Sequence, residues 1–141
     1  MPVYNNEFFV NSAIESILNQ TYVNFEFIII DDGSVDNTRE KIQAYANNDK
    51  RIKFLINEVN QGISVSRNLA FDHAKGEYIA VMDSDDISKK DRFEKQLAYL
   101  LAHPDVAVVG SQAIEFFNND KQKINQYPLS HGLITWGLLF G

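Results

Sequence analysis

The chain has 141 residues, 45% of them hydrophobic, and a formal net charge of -6. That length suits one domain or a large part of one, and the acidic balance argues against a nucleic-acid partner, which needs a basic face to neutralise phosphates. Cysteine is absent, which excludes disulfides and thiolate metal sites and leaves oxygen or histidine as the only metal ligands.

Met1 to Asn5 reads as the last residues of a strand. Val10, Ala13, Ile14, Ile17 and Leu18 recur at helical spacing, so a helix is expected from Glu7 to about Gln20 with Asn6 as its N-cap. Phe25 to Ile30 is a continuous apolar run, the pattern of a parallel strand covered on both faces, and it ends at Asp31-Asp32-Gly33-Ser34. A second helix is expected from about Asn37 to Ala46, capped by Asp36. Alternating Ile52, Phe54 and Ile56 predict a strand. After the polar loop Asn57 to Gly62, a third helix is expected from about Ser64 to Ala74, with Val65, Leu69 and Ala70 facing inward.

Tyr78 to Met82 reads as a strand. Ser88 with Asp91 resembles a capping box for a helix whose inner face is Phe93, Leu97, Leu100 and Leu101, closed by His103-Pro104. Val106 to Val109 reads as a buried strand, continued by Ala113 to Phe117. Asn118 to Asp120 reads as a turn and Lys123 to Tyr127 as a returning strand. No apolar run approaches the ~20 residues that span a bilayer, and no leader opens the chain. Both absences point to the cytoplasm, with membrane association through other parts of the protein left open.

Strands alternating with helices imply an α/β fold, a mostly parallel Rossmann-like sheet with helices on both faces. Ligands of such sheets bind outside the carboxyl ends of the strands. Tyr4, Asp31-Asp32 and Asp83-Ser84-Asp85-Asp86 all fall there. Crowded carboxylates repel one another, and a divalent cation would remove that conflict. Asp83 and Asp85 alternate, so in extended backbone both face one ligand. The competing reading is a solvated acidic turn that caps the next helix.

Pro2-Val3-Tyr4-Asn5, Ile29-Ile30-Asp31-Asp32-Gly33-Ser34, Asn60-Gln61-Gly62, Ser66-Arg67-Asn68, Gly76-Glu77-Tyr78-Ile79 and Asp83-Ser84-Asp85-Asp86 resemble, in order and spacing, the family-2 glycosyltransferases. The resemblance implies the GT-A fold, a nucleotide-activated sugar donor, a divalent metal (Mn²⁺ or Mg²⁺) and transfer with inversion. It implies a nucleotide site formed by Pro2, Val3, Tyr4, Asp32, Arg67, Asp83 and Ser84. Tyr4 would lie against the base, its rival reading being a core tyrosine. Asp32 would accept the imide N–H of uracil, which favours a UDP-sugar, although dTDP offers the same imide. Arg67 would contact base or phosphate, its rival being a salt bridge to a carboxylate. Asp83 would hold the ribose side, and Asp85 would ligate the metal, with Asp83 as a second candidate ligand. Asp31 would orient its loop.

Against the family pattern, the first strand is cut short and no carboxylate follows Asp120. The general base is therefore expected beyond Gly141, with the acceptor pocket for a saccharide, lipid or other acceptor. The 141 residues read as one domain, incomplete at both ends, that binds donor and shows little turnover by itself. The apolar stretch from Leu133 to Phe140 suggests self-association. The alternatives are a nucleotide-sugar-binding module without catalysis and a nucleotidyltransferase. The second is disfavoured because Tyr4-Asn5-Asn6-Glu7 has no glycine or lysine for a phosphate loop. A Ca²⁺ loop is disfavoured too, because the acidic cluster lacks the spaced ligands of an EF-hand.

Overall fold

The computed structural model describes residues 1–116 and 122–129. Their elements are β1 (Pro2–Val3), α1 (Val10–Leu18), β2 (Phe27–Asp32), α2 (Thr38–Asn48), β3 (Ile52–Asn57), α3 (Ile63–His73), α4 (Arg92–Ala102), β4 (Ala113–Phe116) and β5 (Gln122–Asn125). Three strands form a parallel sheet in the order β1-β2-β3. β4 and β5 form a separate antiparallel pair, matching the expected returning strand.

The alternation of β2 sorts the core into two layers. Phe27 and Ile29 point to one face and pack with Ala13, Ile14 and Ile17 of α1 and Ile42 of α2. Ile28 and Ile30 point to the other, against Leu69 and Ala70 of α3. Helices thus cover both faces of a parallel sheet, which is why β2 is apolar throughout rather than alternating. Ile14, Ile17, Ile29, Ile30 and Ile42 are fully buried, each worth about 1.5–3 kcal/mol in transfer free energy. The same alternation delivers Asp31 to the α1/α2 side and Asp32 to the α3 side.

Several expected elements differ. Tyr78 to Met82 does not join the sheet: Ile79 and Val81 are 55% and 50% exposed, and only Met82 reaches the core. β1 contributes two residues to the ladder, one of them a proline without an N–H, and so offers little backbone for a further strand to pair with. Val106 to Val109 is not a strand either, and Val108 is 85% exposed; an apolar run makes a strand only where a neighbour supplies a ladder. Phe117, the Asn118 to Asp120 turn, His131 and Leu133 to Phe140 lie outside the described residues.

Asn6 does not cap α1 with its side chain. Its carbonyl accepts the Val10 N–H at 3.0 Å, while its amide donates to the Ser84 hydroxyl at 2.8 Å. Ser88 makes no capping box. Its buried hydroxyl accepts from Arg92 Nε at 2.7 Å and Gln20 Nε2 at 3.2 Å. Val65 faces outward, and Ser66 takes the inner position on α3. The expected inner face of α4 is only half-buried, and Leu101 is exposed. Phe93 alone reaches the core, edge-on to Phe25 with ring centroids 5.5 Å apart.

Candidate functional site

The segment after β1 and the turn after β2 are stitched together. The Asn5 N–H donates to the Ser34 hydroxyl (2.9 Å), the Asn6 N–H to the Thr38 hydroxyl (2.8 Å) and the Glu7 N–H to Asp36 (3.1 Å). Asn5 returns a bond by accepting the Val35 N–H at 2.9 Å. It adopts φ +46°, a left-handed conformation that asparagine tolerates better than most residues. These bonds satisfy backbone donors that would otherwise be orphaned at the strand ends. They hold Tyr4 at the rim rather than in the core, 49% exposed, which excludes its reading as a core tyrosine.

Asp32 is 3% exposed, and both its oxygens accept hydrogen bonds. Its Oδ1 accepts from Asn57 Nδ2 (2.7 Å) and the Gln61 N–H (3.1 Å), and its Oδ2 from the Gly62 N–H (2.9 Å). Burial alone would raise its pKa, but donation by Asn57, the Gln61 N–H, the Ser66 hydroxyl and the Gly62 N–H outweighs that and holds the carboxyl below the ordinary carboxylate value. Asp32 thereby ties β2 to the loop that opens α3. Gly33 makes the approach possible. At φ +77°, it lies so close to this loop that an added Cβ would sit 2.7 Å from Asn60 N and from Val59 C. Asp31 accepts the Ser34 N–H at 3.1 Å and pairs with Arg39 of α2 at 2.7 Å, in keeping with a loop-orienting role.

The elements converge on a cleft of about 240 Å³ lined by Pro2, Val3, Tyr4, Asp32, Asn60, Gly62, Ile63 and Ser84. Five of the residues expected to bind nucleotide are thus on its wall. The other two, Arg67 and Asp83, pair with each other at 2.7 Å. The salt bridge named as the rival reading of Arg67 therefore exists, and it joins two of the residues expected to bind nucleotide. Arg67 Nε is buried and has no partner among the described residues, which leaves one donor uncommitted. A larger groove, about 420 Å³, lies between α2 and β3 and is lined by none of the residues expected to bind nucleotide or metal.

Asp85 and Asp86 are exposed, and neither side chain has a hydrogen-bond partner among the described residues. Partial burial, then the charges of Asp85 and Asp83, push the Asp86 carboxyl above its ordinary value. No group of three or more His, Cys, Asp or Glu side chains gathers in metal-binding geometry among the described residues. The donor set is therefore an open carboxylate, not a cage. It fits a cation that takes most of its ligands from phosphate oxygens and water. His73 and His103 bond to carbonyls within their own helices. Asn57, which joins Asp32 to Ser66, carried no sequence signal beyond being polar at a strand end.

Comparison with known proteins agrees with this geometry. The sequence profile described as Glycosyl transferase family 2 matches residues 1–137. The UDP-Glc:alpha-D-GlcNAc-diphosphoundecaprenol beta-1,3-glucosyltransferase WfgD of Escherichia coli is 40% identical over 120 residues, covering 85% of this chain and 46% of that protein. The crystal structure of S. aureus TarS 1-349 in complex with UDP superposes with a TM-score of 0.67 at 30% identity, over 73% of this chain and 31% of that one. The mannosyltransferase PcManGT of Pyrobaculum calidifontis, solved with GDP-Man and Mn²⁺, shares the fold with a TM-score of 0.65 at 22% identity, over 70% of this chain and 30% of that one. The chain spans less than half the length of the curated relatives it matches. With a GT-A architecture and a profile match over nearly its whole length, this chain belongs to glycosyl transferase family 2.

Proposed function

We propose that the chain is the donor-binding part of a metal-dependent, inverting glycosyltransferase that uses a UDP-sugar. The observation that carries this reading is the meeting of Tyr4, Asp32 and Ser84 on one cleft, with the Arg67–Asp83 pair joining two further site residues. The half-exposed Tyr4 ring offers a stacking face to a base. Asp32 is acceptor-only when ionised, which suits the imide N–H of uracil, a donor that cytosine lacks. Three donors already occupy its oxygens, so Oδ2 keeps room for one more. Arg67 steadies Asp83 beside the ribose.

Asp85, with both oxygens free, would hold Mn²⁺ or Mg²⁺ together with the donor's diphosphate. The cation would supply Lewis-acid neutralisation of the departing charge. Inverting transfer also needs a general base and an acceptor pocket. Both belong in this reading to a longer catalytic domain, consistent with the fraction of its relatives that the chain spans. The relative acting on a diphosphoundecaprenol-linked sugar and the neighbour solved with UDP support a nucleotide-sugar donor and leave the acceptor open.

Calorimetric titration of UDP with and without Mn²⁺ tests the reading. Binding should require the metal, fall by roughly tenfold or more in Asp85→Ala, and weaken in Tyr4→Ala with the loss of about 1–3 kcal/mol of stacking. Metal-independent binding, or equal binding by Asp85→Ala, overturns the assignment of the acidic cluster.

A further inference from the structure

Asn57 is the last residue of β3 and only 6% exposed. Its amide nitrogen donates twice, to Asp32 Oδ1 at 2.7 Å and to the Ser66 hydroxyl at 2.9 Å. Ser66 is fully buried in the first half of α3. One side chain therefore ties the end of β2, the end of β3 and α3 in a buried polar junction. Its consequences run in two directions. Towards Asp32, Asn57 and the Gln61 N–H together occupy Oδ1. That fixes the carboxylate plane and leaves Oδ2, which takes only the Gly62 N–H, as the oxygen with capacity for a further donor. Towards α3, the anchored Ser66 sets the position of the next residue, Arg67, and through it the pair with Asp83.

We infer that Asn57 is a positioning residue for nucleobase selection: it aims Asp32 Oδ2 into the cleft, so that a base carrying an imide N–H is accepted over one carrying a ring-nitrogen acceptor. The inference rests on the donor-site reading above. Cytosine presents a lone pair where uracil presents N–H, and a rigidly aimed carboxylate repels it. A carboxylate free to rotate would lose that discrimination while the diphosphate half of the site stayed intact. An apolar or anionic residue at position 57 would also leave a buried acceptor without its donor.

The test titrates UDP, dTDP, CDP and pyrophosphate, each with Mn²⁺, into the wild-type chain and into Asn57→Asp and Asn57→Leu, two replacements with the same number of side-chain heavy atoms. Wild type should prefer UDP and dTDP over CDP. Each variant should lose roughly tenfold of that preference, the scale of one hydrogen bond to a charged group, with pyrophosphate binding falling by less. An unchanged UDP-to-CDP ratio overturns the inference. So does an equal loss for all four ligands, which marks a role in stability alone. If neither variant folds, Ser66→Ala decides. It removes one anchor of the Asn57 amide and the hydroxyl that helps hold Asp32 ionised, and the ratio should fall by a smaller factor; an unaltered ratio overturns the inference. A wild-type chain that binds no UDP overturns the donor-site reading itself, an outcome distinct from UDP binding without base preference.

Discussion

At the residue scale, Asp32 shows how a carboxylate can be buried and remain ionised. Desolvation opposes its charge, and donation by Asn57, the Gln61 N–H, Ser66 and the Gly62 N–H more than offsets that cost. Its folded pKa lies below its unfolded value, so the stability it contributes is fully present above the ordinary carboxylate value of 3.8 and is lost as pH falls through the lower folded value. Asp36 is depressed in the same direction. Burial opposes its charge, and bonds from Thr38 and from the Glu7 N–H prevail. In melting experiments, the gap between wild type and Asp32→Asn should therefore narrow as pH is lowered from about 5 to about 2. A gap that stays constant would mean that Asp32 is not the titrating group. The doublet Asp31-Asp32 was legible in the sequence as an acidic strand end. Its division of labour between Arg39 on one side and the α3 loop on the other was not, because it depends on which residues the two sheet faces present.

At the element scale, two features decide whether the loops form a site. One is the close passage of the Gly33 turn past Val59-Asn60. Gly33→Ala adds a methyl group against backbone at a positive φ and should cost at least about 1–3 kcal/mol of stability. Gly110→Ala, which meets open space, should be near neutral; equal urea midpoints for the two would refute the argument. The other is Gln20. It is buried just past α1, donates to the Ser16 and Lys89 carbonyls and the Ser88 hydroxyl, and accepts the Phe93 N–H at 3.0 Å. It fastens α1 to the segment that follows the acidic cluster and to the start of α4. Gln20→Leu should cost about 1–3 kcal/mol for each group left unpaired, read as a lower urea midpoint. Local pattern placed Gln20 at a helix end and could not show that three of its partners lie 68–73 residues away.

At the scale of the whole molecule, the two hydrophobic layers on either side of β2 hold the carboxyl ends of β1, β2 and β3 in line, and the cleft is where their loops meet. Ile29 sits at the centre of the larger layer. Ile29→Ala should destabilise the fold by about 2–5 kcal/mol, read from urea unfolding. UDP at saturating concentration should recover part of that loss, because a ligand that binds only the folded state stabilises it by mass action. A destabilised variant that UDP does not rescue would separate core packing from site formation.

The sequence by itself determined the fold class, and it named residues of which five line one cleft. The apolar run of β2, the helical spacing of α1 and the acidic ends of the strands are local patterns, and they follow from element periodicity alone. The motif order was equally a property of the linear chain. Tertiary structure alone decided what the patterns left open. It kept Tyr78 to Met82 and Val106 to Val109 out of the sheet, because a strand requires a partner's backbone. It turned Asn6 and Ser88 from expected caps into long-range bonds with Ser84, Gln20 and Arg92. It also joined Arg67 to Asp83, and Asp32 to Asn57 and Gly62. Short polar side chains can satisfy the backbone beside them or a group far along the chain. The choice depends on which donors folding carries out of water, and no local stretch of sequence encodes that.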